Sequence, residues 1–174
     1  MARIPLAYPF TVDGVAYDHL EFRRCTRKQL RQALVASTNE DEQELILFSW
    51  LAGVPRGAIE ELDVVDLRTL QRTYAGYTVA SQAKDTGELA YPIAVDGAEI
   101  RRIDLRRPKA RDLLAANRDA GSDAQRADRL YAILGGVSEA AIGELDLSDW
   151  FALEERYVRF TQPSRGGEET APAA

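Results

Sequence analysis

His19 and Cys25 are the chain's only histidine and only cysteine. Six residues apart, they raise the possibility of a thiol nucleophile with a base, but such chemistry needs an oriented pair with a third group behind it. A second candidate set is acidic: Glu61, Asp63 and Asp66, repeated as Glu144, Asp146 and Asp149. Their spacing lacks the alternating oxygen ligands and central glycine of a calcium loop. Asp63, Asp66, Asp146 and Asp149 stand where helices are expected to begin, so they read as helix caps that meet the free N–H groups and the positive helix end. Arg23-Arg24 and Arg106-Arg107 read as surface pairing with acidic neighbours rather than an anion site. There is no Gly-rich phosphate loop and no Ser-containing nucleophile elbow. One histidine excludes a multi-His metal site, and one cysteine excludes an intramolecular disulfide. Neither an enzyme nor a metal or cofactor is expected. An enzyme would require a polar pocket holding a perturbed acid or base.

The elements that position these residues occur twice. A shift of 83 residues aligns Tyr8–Val79 with Tyr91–Gln162 without a gap, and about 22 of the 72 pairs are identical. Tyr8-Pro9 and Val12-Asp13-Gly14 return as Tyr91-Pro92 and Val95-Asp96-Gly97. Ala58-Ile59, Glu61-Leu62-Asp63, Asp66, Leu70 and Tyr74 return as Ala141-Ile142, Glu144-Leu145-Asp146, Asp149, Leu153 and Tyr157. A period this long means two small units rather than a solenoid. His19 and Cys25 have Arg102 and Pro108 at the matching places. A site built on them would exist in one copy only.

Each copy opens with a hairpin signal, since Asp-Gly suits a type I′ turn. Two strands cannot bury a face alone, so helices must cover them. The first helix is expected near Thr26 and, in copy two, at Pro108, where proline suits the first helical position. The second is expected over about 40–52 and 124–135, ending at Gly53 and Gly136 with a left-handed cap. A short helical turn carries Ile59 and Ile142. The last helix follows Asp63 or Asp146, with Leu67, Leu70 and Tyr74, or Trp150, Leu153 and Tyr157, along one face. The expected fold is α+β: two homologous copies of a β-hairpin followed by two to three helices. Copy one spans 1–79 and copy two 91–162. Residues 80–90 read as a linker and 163–174 as a disordered tail.

Composition agrees with such a protein. Among 174 residues, 45% are hydrophobic and 29% charged, with a net charge of −6. Negative charge disfavours a nucleic-acid surface. No apolar run approaches the ~20 residues of a membrane span, and the N-terminus lacks the apolar core of a secretory signal. A soluble, cytoplasmic chain is expected.

The copies also differ informatively. Leu34, Val35, Leu45 and Ile46 in copy one correspond to Asn117, Arg118, Asp128 and Arg129 in copy two. Positions that determine a shared fold should be apolar in both. These four therefore belong to something only copy one does: packing between the copies, or a patch for an apolar partner helix.

The Val-Asp-Gly hairpin, the Leu105-Arg106-Arg107-Pro108 strand end, Gly-Val followed by Ile-x-Glu-Leu-Asp, and then Asp-x-x-x-Leu and a Tyr resemble the tail assembly chaperones of Mu-like contractile-tailed phages and prophages. The resemblance covers both copies, and copy two is the nearer match. Copy one departs in having Cys25 for the proline and a more apolar second helix. It implies a non-enzymatic role in the bacterial host cytoplasm and absence from the finished virion. The implied partners are the tape measure protein, whose long apolar helices need shielding, and the tail tube subunits it helps recruit. Two modules on one chain would raise avidity. The competing reading is a general adaptor or regulatory protein that grips a partner unrelated to tails.

Overall fold

A computed structural model describes residues 1–81, 86–118 and 120–162; residues 82–85 of the expected linker and the whole expected tail, 163–174, lie outside the described residues. Copy one is built from β1 (Ala2–Val12), β2 (Val15–Phe22), α1 (Arg27–Ala36), α2 (Glu40–Ala52), α3 (Arg56–Glu60) and α4 (Val64–Tyr77). Copy two repeats the order with β3 (Glu88–Val95), β4 (Ala98–Arg102), α5 (Ala110–Asn117), α6 (Asp123–Gly135), α7 (Glu139–Glu144) and α8 (Leu147–Thr161). The fold is α+β, and each hairpin is its own two-stranded antiparallel sheet. The short turn after each glycine cap is a regular helix, α3 or α7, so each copy carries four helices when it is counted. β3 begins at Glu88, inside the segment read as a linker.

Local chemistry sets the element ends. Asp13 and Gly14 have φ of 49° and 78°, and Asp96 and Gly97 have 51° and 79°. Positive φ at both central residues is what a type I′ turn demands, and it matches the right-handed twist of the strands. Gly53 and Gly136 take φ of 68° and 65°, closing α2 and α6 with left-handed caps. Thr26 and Gln29 form a reciprocal capping box ahead of α1. In copy two the helix starts later than expected. Pro108 lies two residues before α5 rather than at its first position. The reason is Asp112, which accepts from the Lys109 N–H at 2.8 Å and from the Arg106 guanidinium at 2.6 and 2.8 Å. That fork leaves Lys109 extended and lets the helix begin only after it.

Each copy has its own core. In copy one Phe22 and Phe48 are fully buried and meet edge to face at 5.4 Å, with Tyr74 on the other side of Phe48 at 5.7 Å. In copy two Tyr131 takes the place of Phe48 and packs against Trp150 and Tyr157 at 6.0 and 5.7 Å. Burying each large side chain contributes about 1.5–3 kcal/mol. The cores are not sealed from one another: Leu147, the first residue of α8, is fully buried in the copy-one cluster, and Phe151 packs against both clusters.

Candidate partner groove and the joint between copies

Leu34 and Val35 lie on the last turns of α1, 46% and 78% exposed. Leu45 and Ile46 lie half-buried on α2, and Leu45 packs on the copy-one core. A groove of about 150 Å³ runs between α1 and α2, with Tyr74 of α4 at its floor. Its apolar wall is Leu30, Ala33, Leu34, Leu47 and Phe48, and its polar rim is Glu40, Gln43 and Glu44. Leu34 lines this groove, whereas Val35, Leu45 and Ile46 lie outside its wall. Gln43 donates from Nε2 to the carbonyls of Leu34 and Ser37 at 3.1 and 2.7 Å, fixing α2 against the end of α1. Glu44 accepts from Gln71 Nε2 at 2.7 Å, which ties the rim to α4. Burial pushes the Tyr74 hydroxyl well above its ordinary pKa, so the floor stays uncharged.

The same groove exists in copy two. Its lining is Leu113, Ala116, Asn117, Asp123, Arg126, Ala127 and Leu130, each one 83 residues after a lining residue of the first groove. Duplication has therefore kept the place and changed the chemistry. Leu34 becomes Asn117 and Gln43 becomes Arg126, so copy one has an acidic-rimmed apolar groove and copy two a mixed polar one.

The four aspartates divide into two jobs. Asp63 accepts from Val65 N at 2.8 Å and Asp146 from Ser148 N at 2.9 Å, at the starts of α4 and α8. Asp66 and Asp149 sit in the first turns, but their carboxylates turn to the strands instead of capping. Asp66 accepts from the backbone N–H groups of Ala7 and Tyr8 at 2.7 and 3.0 Å. Asp149 accepts from Ala90 and Tyr91, both at 2.9 Å, and from the Ser81 hydroxyl at 2.7 Å. The cause lies in the hairpins. Pairing jumps from Pro5 to Phe10 while the opposite strand advances only from His19 to Tyr17, and β3 does the same between Glu88 and Ile93. The bulged residues lose their ladder partners, and Pro9 and Pro92 have no N–H to offer. A buried carboxylate supplies the missing acceptors.

The copies meet at a joint that joins unlike faces. A bridge pairs Thr26 with Asp146, with Arg27 N donating to Leu145 O at 2.8 Å and Leu147 N to Cys25 O at 3.1 Å. Arg24 forks onto Asp146 at 2.6 and 2.8 Å, its guanidinium 4.5 Å from the Tyr77 ring and 4.0 Å from the Tyr91 ring. Such stacking with a bidentate carboxylate suits arginine and not lysine. Beside it Asp128, 1% exposed at its side chain, accepts from Arg27 and Arg31, both at 2.8 Å. Arg27 also stacks on Trp150 at 4.0 Å. Lys28 and Glu144 form an outer pair at 3.4 Å. The two faces come from different parts of the repeat, the start of α1 on one side and the start of α8 on the other.

By sequence, Asp128 stands out only as the polar counterpart of Leu45. The available signal was a concerted one: Arg27, Arg31 and Asp128 are charged where Ala110, Leu114 and Leu45 are not.

His19 and Cys25 are not brought together. His19 is on β2 beside Asp18, Arg3 and Glu21. Cys25 is buried, and loss of solvent together with nearby Asp146 pushes its thiol up to about 12. Among the described residues no three His, Cys, Asp or Glu side chains gather as metal ligands would, and no helix is long and apolar enough to cross a membrane.

A family model described as phage tail assembly chaperone proteins, E, or 41 or 14, matches residues 3–78 and again residues 86–162. No curated protein and no solved structure matches the chain.

Proposed function

Because the chain belongs to the phage tail assembly chaperones through both of its copies, we propose that it holds the tape measure protein soluble and helps recruit tail tube subunits. On this reading it works without catalysis in the host cytoplasm and leaves before the virion is complete. The observation that carries the binding step is the α1–α2 groove of copy one, where Leu34 stands 46% exposed at an apolar wall rimmed by Glu40 and Glu44. Such a groove suits an amphipathic helix, which presents apolar side chains at intervals of three and four residues. Val35 extends the same apolar surface beyond the groove. Leu45 serves it indirectly, by seating α2 on the copy-one core, and Ile46 lies half-buried beside it on the same helix. The net charge of −6 keeps a complex with an apolar partner in solution.

The test is co-expression with the tape measure protein of the phage or prophage that carries this chain. The tape measure protein should be recovered soluble and bound, and Leu34→Glu should lower its recovery about tenfold or more while the fold is kept, because this side chain is already half in water. A tape measure protein that stays insoluble and unbound beside the unaltered chain sinks the reading.

A further inference from the structure

We propose that chains of this protein join head to tail, with the α5 end of copy two docking on the α4 face of copy one of a second chain in the way the copies dock within one chain. The internal joint uses two different faces of the repeat, so it leaves one of each unused. Copy two keeps its own version of the α1 face, and copy one keeps its own version of the α8 face. A heterologous contact of this kind propagates until it closes into a ring or runs on as a filament.

The unused faces still match. Within the chain, Arg24 lies between Tyr77 and Tyr91 and forks onto Asp146. The same places at the open ends are held by Arg107, Phe160, Tyr8 and Asp63. Arg107 already lies over Phe160 at 5.8 Å, so the copy-two end carries half of the site. Tyr8 is 58% exposed and Asp63 is exposed, the other half on copy one. Tyr8 is held by Asp66 through its N–H as Tyr91 is held by Asp149, so the two halves have the same frame.

The buried trio has changed as a set. Arg27, Arg31 and Asp128 pair by charge inside the chain. Ala110, Leu114 and Leu45 stand at the matching places of the open ends, and all three are apolar. Had one side drifted alone, a charge would face an apolar surface; instead each joint is complementary within itself. Each is also mismatched with the other, which keeps the internal and external pairings from exchanging. The outer pair of Lys28 with Glu144 becomes Arg111 with Glu61, the same signs on the same sides. Val64 is 59% exposed where its counterpart Leu147 is fully buried by the joint, and Leu114 is 71% exposed. The one change that puts a side chain where the internal joint has none is Glu60 at the place of Gly143. A Cβ at Gly143 would lie 3.5 Å from the Lys28 Cβ, an ordinary contact, so a side chain fits and its carboxylate would fall beside Arg111.

The test does not involve the tape measure protein, so it fails or succeeds apart from the chaperone reading. Sedimentation velocity and light scattering on the full chain between about 1 and 500 μM should give a mass that rises beyond the dimer. Leu114→Glu blocks the copy-two end and Val64→Asp the copy-one face. Both positions are exposed, so the fold should survive. Each variant alone should weaken association about 30-fold or more. Mixed, the two should form a dimer and stop, because each retains one working end and their spoiled ends carry like charges. Arg107→Glu and Glu61→Lys form a second pair if either substitution impairs folding. A chain that stays monomeric throughout overturns the proposal. So does association that neither variant weakens, or a mixture that restores no dimer.

Discussion

The bulges in β1 and β3 depend on one carboxylate each. Asp149 is itself fully buried, and removing it takes an acceptor from the backbone N–H groups of Ala90 and Tyr91 and from the Ser81 hydroxyl. An unsatisfied buried donor costs about 1–3 kcal/mol, so Asp149→Ala should lower unfolding stability by about 3–5 kcal/mol in urea titration. Asp66→Ala, where the carboxylate serves two donors rather than three, should lose less, about 2–4 kcal/mol. Equal and negligible losses would mean the strands find other acceptors. Cys25 makes a contrasting prediction. With its thiol pushed up to about 12, it is protonated at pH 8, and being buried it is also shielded. A thiol reagent should label the native chain only as fast as the chain opens. Rapid labelling in native buffer would contradict this environment. The raised value also makes the folded state hold the proton more tightly than the unfolded one. This contribution is complete below the unfolded value of about 8.5 and is lost as pH rises towards 12.

At the level of elements, what was legible in the sequence was what local chemistry alone decides. Asp13-Gly14 and Asp96-Gly97 announce their turns because few residues tolerate positive φ in succession. Gly53 and Gly136 announce the ends of α2 and α6 for the same reason. The start of α5 was not legible, because Arg106 and Lys109 both bond Asp112 through contacts that Pro108 does not reveal. Nor was the turn of Asp66 towards β1, since a carboxylate in a first helical turn has a local partner on offer and the bulge lies 58 residues away. The groove was half legible: Leu34 stands out when the copies are compared, while Leu30, Ala33 and Leu47, shared by both copies, look like ordinary core. The Arg27–Asp128–Arg31 trio is the element-level test. Asp128→Ala leaves two guanidinium groups facing inward without a counter-charge and should cost about 3–5 kcal/mol. Replacing all three with the residues at the matching open ends, as Arg27→Ala, Arg31→Leu and Asp128→Leu, should cost far less and could stabilise, since well-packed apolar groups often equal a buried ion pair. A triple variant as unstable as the single one would mean the trio is required for more than complementarity.

For the whole molecule, the question is whether two copies make two folding units or one. Each has its own aromatic centre, which argues for two. Against that, Leu147 belongs by chain to copy two and by burial to the core of copy one, next to Cys25 and Leu62 in the same cluster. Its N–H donates to Cys25 O, so backbone and side chain both cross the joint. Deleting a buried leucine side chain costs about 2–5 kcal/mol. A loss of that size at the joint falls on both copies, because neither retains the contact. The unaltered chain should therefore melt in one calorimetric transition, with the enthalpy measured directly equal to that derived from its steepness. Leu147→Ala combined with Arg24→Ala removes the inserted side chain and the stacked fork together. The expected result is two separated transitions, with copy one melting first because its core has lost a member while Trp150, Tyr131 and Tyr157 of copy two remain in place. A single transition merely shifted to lower temperature would show that Phe151, packed against both clusters, suffices to couple them. Two transitions already present in the unaltered chain would show that the joint contributes too little to unite the copies.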